Sequence, residues 1–72
     1  MMDINDILAI ETMDVLEEQY AELQNEYTAA LEEATKAFKR FDLAEAKEKK
    51  AVIDACIERQ KAFLKRAQEL SR

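Results

Sequence analysis

The chain has 72 residues, enough for one small domain near the size at which a single core barely outweighs chain entropy. It holds neither glycine nor proline, and with 49% apolar and 38% charged residues it is too apolar for a disordered acidic tail. A net charge of −5 disfavours a polyanionic partner, the absence of histidine removes the usual general base and metal ligand, and no apolar run approaches the ~18 residues of a membrane span.

Residues 1–11 form an apolar arm built on Met1, Met2, Ile4, Ile7, Leu8 and Ile10. No basic segment precedes a hydrophobic stretch here, so the arm does not read as a secretion signal. Asp3 or Asn5 is placed to cap a short helix within it. An apolar arm needs cover, either from another chain or by folding back onto the open end of this one. The preferred expectation is another chain, which makes Ile4, Ile7, Leu8 and Ile10 partner-binding residues.

Thr12 with Asp14 restarts a helix, and from Met13 the apolar residues follow a heptad without a gap. Met13, Leu16, Tyr20, Leu23, Tyr27, Ala30, Ala34, Ala37 and Phe41 alternate spacings of three and four, the seam of a packed helix. This predicts a helix over about 13–40 with Leu16, Tyr20, Leu23 and Tyr27 in the core. Leu31 and Phe38 lie beside the seam and widen it beyond what a two-stranded zipper uses.

Continuing that register past Phe41 would put Glu48, Glu58 and Lys65 on the seam, where buried charges cost heavily. The apolar face of the second half is instead Ala46, Ile53, Cys56, Ile57, Gln60, Phe63, Leu64, Ala67 and Leu70, so the phase shifts and the helix breaks. Asp42 supplies an N-cap with Glu45 three residues on, in the spacing of a capping box, and Lys39 and Arg40 suit the negative end of the outgoing helix. A turn is therefore expected at about 40–43 and a second helix over about 43–71, with Ile53, Ile57 and Leu64 in the core. The lone Cys56 lies among Val52, Ile53 and Ile57 and reads as a buried thiol in a reducing, cytoplasmic compartment.

The predicted fold is all-α: an antiparallel, coiled-coil-like two-helix hairpin over residues 12–72. Charge agrees with it. Residues 1–36 carry ten acids and one base, and residues 37–72 six acids and ten bases. Folding back at residues 41–42 sets residue i level with about residue 83 − i, which faces Glu22 with Lys61, Glu33 with Lys50, and Glu17 and Glu18 with Lys65 and Arg66. Each such exposed pair contributes only ~0–1 kcal/mol, so their role is to select orientation.

Two packed helices cannot cover Leu31, Phe38, Val52, Phe63 and Leu70 together, so these join the arm as expected partner-binding residues. The surplus face is expected to be covered by self-association into a helical bundle, by another helical protein, or by both. Catalytic chemistry has no foothold: Ser71 is the only serine, Cys56 has no histidine partner, and no glycine-rich loop exists to cradle phosphate. No enzyme activity, cofactor or metal is expected, and the Glu18, Glu22 and Glu26 ladder reads as a solvated face. The expected function is a protein–protein interaction module, that is, an assembly factor, adaptor or small chaperone. The alternative is a nucleic-acid-related regulator, with Lys47, Lys50, Lys61 and Lys65 meeting phosphates or the acidic first half mimicking them.

Overall fold

A computed structural model describes residues 2–72; Met1, named above as part of the apolar arm, lies outside the described residues. Three helices follow in order: α1, Ile4–Leu8; α2, Met13–Lys39; and α3, Leu43–Leu70. Helices α2 and α3 pack against each other as a hairpin, α1 packs on α3, and the molecule measures 47 × 17 × 16 Å.

Each helix starts on a side-chain oxygen that satisfies an otherwise unpartnered N–H. Asp3 Oδ1 accepts from Asn5 N at 2.6 Å, Thr12 Oγ1 from Val15 N at 3.4 Å, and Asp42 Oδ1 from Glu45 N at 3.1 Å. The capping box at Asp42 is only half made. Asp42 N donates to Ala37 O at 2.9 Å, and the Glu45 carboxylate reaches instead across the turn to Arg40 at 2.6 Å.

The turn is a Schellman motif closed without glycine. Asp42 N donates to Ala37 O and Phe41 N to Phe38 O at 3.0 Å, which leaves Phe41 at φ 58, in the left-handed region. An L-residue there costs ~1–2 kcal/mol, and the hydrogen bonds and the docking of α3 on α2 offset it.

The core occupies the open end of the hairpin, where Ile7, Ile10, Leu16, Leu23, Cys56, Ala62 and Phe63 form one buried cluster. Toward the turn the helices meet on small residues, with Ala30 and Ala37 buried. The fold-back register is visible in the edge-on pair of Tyr20 and Phe63, whose ring centroids lie 5.5 Å apart.

The arm corrects the preferred expectation: it folds back onto its own hairpin. Ile7 and Ile10 are buried in the core cluster and Leu8 packs against it, so these are core residues and not partner-binding ones; Ile4 stays exposed. Two arginines of α3 hold the arm by its backbone. Arg59 Nε donates to Met2 O and Arg66 Nε to Ile10 O, both at 2.6 Å. Arg59 and Arg66 sit seven residues apart and therefore on one side of α3, so they grip the two ends of the arm like a pair of brackets.

Candidate interaction surface

The docking of α1 decides which face of the hairpin remains open. At ~100° per residue, Arg59, Ala62 and Arg66 lie on one flank of α3, Cys56, Phe63 and Leu70 on the seam, and Ile57 and Leu64 on the opposite flank. Because α1 arrives on the first flank, the buried arc of α3 turns toward it and away from Leu64. Phe63, expected at a partner surface, is 4% exposed, while Leu64, expected in the core, is 63% exposed. Leu70, also expected at a partner surface, is half-buried against the core cluster, and Ile53 and Ile57 are only half-buried. Leu16 and Leu23 are buried, Tyr27 packs against the core, and Tyr20 is exposed along one edge.

The flank left open is apolar. Near the chain termini, Met13, Leu16, Tyr20, Ile57, Leu64 and Ala67 line a groove of about 410 Å³ between α2 and α3. Its polar rim is divided by sign, with Glu17 on the α2 side and Lys61 on the α3 side. The same side of α2 continues past Tyr27 to Leu31 and then Phe38, which is 66% exposed. Leu31 and Phe38 thus lie in one stripe with Met13 and Tyr20, as does Leu64 across the groove. Val52 is exposed but lies off this stripe, between the seam and the Arg59 flank of α3.

A second crevice, between α1, α2 and α3, is polar, with Asp6, Gln19, Glu22, Glu26 and Arg59 around its mouth. Across the seam, the Glu33 carboxylate and Lys49 Nζ lie 2.7 Å apart, one residue from the expected Glu33–Lys50 pairing. The contact with Lys49 lowers the Glu33 pKa, and Glu33 in turn raises that of Lys49. Lys50 and Lys61 turn instead to Asp54 and Glu58 on their own helix, at 3.9 and 3.2 Å, and Arg66 to Glu69 at 4.0 Å. Side chains three or four residues apart on one helix are neighbours, so the expected pairing of Glu22 with Lys61, and of Glu17 and Glu18 with Lys65 and Arg66, gives way.

Cys56 is a free, buried thiol. Burial raises its pKa, Glu26 adds to the rise and Arg59 opposes it, so the sulfur stays protonated and unreactive. Among the described residues no group of three or more His, Cys, Asp and Glu side chains is arranged to hold a metal ion, and no helix is long and apolar enough to cross a membrane.

The residues that sequence reasoning missed are Arg59 and Arg66 as clamps and Ala62 as a core residue. A usable signal was present: two arginines at heptad spacing bracket Ala62 next to an apolar seam, a placement that suits the capture of backbone carbonyls. Comparison of the chain with protein families, with curated proteins and with solved structures returns no match in any of the three.

Proposed function

We propose that the chain is a non-enzymatic interaction module, an assembly factor, adaptor or small chaperone that acts by presenting the open flank of its α2/α3 hairpin to another helical surface. One observation carries this reading: Met13, Tyr20, Leu31, Phe38 and Leu64 stay exposed on the side of the hairpin away from the flank of α3 on which α1 docks. Scattered surface apolar residues need no explanation, but a stripe aligned along two helices has the pattern of a groove that accepts a helix. Methionine and tyrosine suit this use, since they offer adaptable apolar contact with polar groups at the rim. The protonated, buried Cys56 is compatible with a reducing, cytoplasmic setting.

The test is photo-crosslinking inside the source cell. A benzophenone amino acid at Phe38 or Leu64 is expected to give higher-mass adducts that the same probe at Glu48, an exposed polar position, does not. Open-face probes that yield only the uncrosslinked chain would overturn the proposal.

A second reading, mimicry of nucleic acid by α2, draws on a specific observation. Among the described residues Glu33 is the only acid of α2 in a salt bridge, which leaves Glu18, Glu22 and Glu26 unneutralised. Changing these three to Gln separates the readings: it removes association if mimicry is the function and leaves it unchanged if the apolar flank is what binds.

A further inference from the structure

We infer that the tip of the hairpin docks on an anionic phospholipid surface, with Phe38, Phe41 and Leu43 entering the lipid and Lys36, Lys39 and Lys47 meeting the headgroups. This goes beyond the interaction-module reading. Phe41 and Leu43 lie outside the apolar groove, whose Leu64 is roughly 34 Å back along the helices.

Phe41 is the first support. It is 84% exposed at φ 58, a conformation that glycine or asparagine holds with less strain. Neither the turn nor the core gains from an aromatic side chain there. Leu43, 64% exposed, and Phe38 join it, so three large apolar residues share the last ~5 Å of the rod.

Charge is the second. Residues 36–47, level with one another across the turn, carry Lys36, Lys39, Arg40 and Lys47 against Asp42 and Glu45. That is a net of +2, which leaves −7 for the rest of a chain of net −5. Both acids are engaged, since Asp42 caps α3 and Glu45 pairs with Arg40. Among the described residues Lys36, Lys39 and Lys47 stand in no salt bridge. They flank the tip from both helices, about 4–8 Å behind the turn, at the depth of headgroups around an apolar element buried ~5–10 Å.

The remaining negative charge is held at a distance. Glu32, Glu33 and Glu48 come next, beside Lys49 and Lys50. The unpaired acids from Glu26 back begin about 23 Å from the turn, nearly three Debye lengths of ~8 Å. The net charge that disfavours a polyanion for the whole molecule is therefore screened at this end.

Shape separates lipid from protein. The tip is convex and 17 × 16 Å in section. A protein would need a matching acidic cavity, whereas a bilayer interface yields around a wedge. No helix has to cross the membrane for this contact.

The experiment is flotation of the full chain with vesicles. Equimolar phosphatidylserine and phosphatidylcholine should carry the chain, phosphatidylcholine alone should not, and binding should weaken as salt rises. Lys36→Gln, Lys39→Gln and Lys47→Gln should each lower the affinity about fivefold. Phe41→Asn with Leu43→Gln should release the chain with its helicity intact by circular dichroism, because asparagine tolerates the left-handed turn. Leu64→Gln, at the far end, should change nothing. Cys56 is buried, so an environment-sensitive fluorophore attaches selectively at Phe41→Cys and should shift to the blue on phosphatidylserine vesicles.

A chain that floats with neither vesicle, or equally with both, would overturn the proposal. So would a tip variant that floats as well as the parent. If the vesicles stay bare and a photo-crosslinker at Phe41 captures a protein, the tip fits an acidic cavity and not a membrane; crosslinking at Leu64 reports on the open flank independently.

Discussion

Phe63 and Leu64 are neighbours in sequence with opposite surroundings, so replacing each by alanine measures the packing of α3 directly. Phe63 is 4% exposed, in edge-on contact with Tyr20 and in the cluster that includes Ile7 and Leu23. Truncating so enclosed an aromatic costs ~3–5 kcal/mol, the lost transfer energy plus the cavity left behind. Leu64 is 63% exposed. Only about a third of its side chain is out of water, so Leu64→Ala should cost roughly 0.5–1 kcal/mol on a full-burial value of ~1.5–3 kcal/mol. A domain of this length has a total stability of about 4–11 kcal/mol, so the first change removes roughly a quarter of it or more and the second far less. At ~4–8 °C per kcal/mol, thermal melting followed by circular dichroism at low concentration should drop by more than ~12 °C for Phe63→Ala and by a few degrees for Leu64→Ala. A larger loss from Leu64→Ala in dilute protein would refute the rotation of α3 described above.

The arm supplies a second test: removing residues 1–10 strips Ile7 and Ile10 from the core, at ~1.5–3 kcal/mol each, and should lower the melting temperature. Changing both Arg59 and Arg66 to Met should free the arm more gently, read as faster amide exchange at Ile7 and Ile10 with the helicity of α2 and α3 retained. At the turn, 84% exposed Phe41 adopts φ 58, so the order of stability should be Phe41→Gly above the parent and Phe41→Val below it, with ~1 kcal/mol or more separating the two variants in denaturant melts. The Glu33–Lys49 pair predicts a small pH dependence. The lowered Glu33 pKa means its contribution is complete above the ordinary carboxylate pKa and is lost as pH falls through the lowered value. The raised Lys49 pKa means its contribution is complete below the ordinary lysine pKa and is lost as pH rises through the raised value. The melting difference between the parent and Glu33→Gln should therefore be greatest near neutrality and close at both extremes.

Much of the architecture is legible residue by residue. Helix starts are written in Asp3, Thr12 and Asp42, because a side-chain oxygen ahead of a helix-forming run is a local device that needs no tertiary partner. The heptad from Met13 to Ala37 carries its own periodicity, and Leu16, Leu23, Ala30 and Ala37 are buried along it. The phase shift at the turn follows from the cost of burying Glu48, Glu58 and Lys65, and all three are exposed. The candidate surface was legible in part: Leu31 and Phe38 stand out as apolar positions in excess of what one seam buries.

What the sequence alone determined, then, is the set of local choices: helix identity, caps, the place of the turn and the antiparallel hairpin. Which side of α3 is buried is different in kind. The apolar arc from Cys56 to Leu70 is wider than one neighbour can cover, so its rotation depends on where a third element docks. Only the tertiary structure decides that, through Arg59 and Arg66 holding the backbone of the arm at Met2 and Ile10. Those contacts span more than fifty residues of chain and leave no periodic trace. They bury Phe63, expose Leu64, and so create the open face.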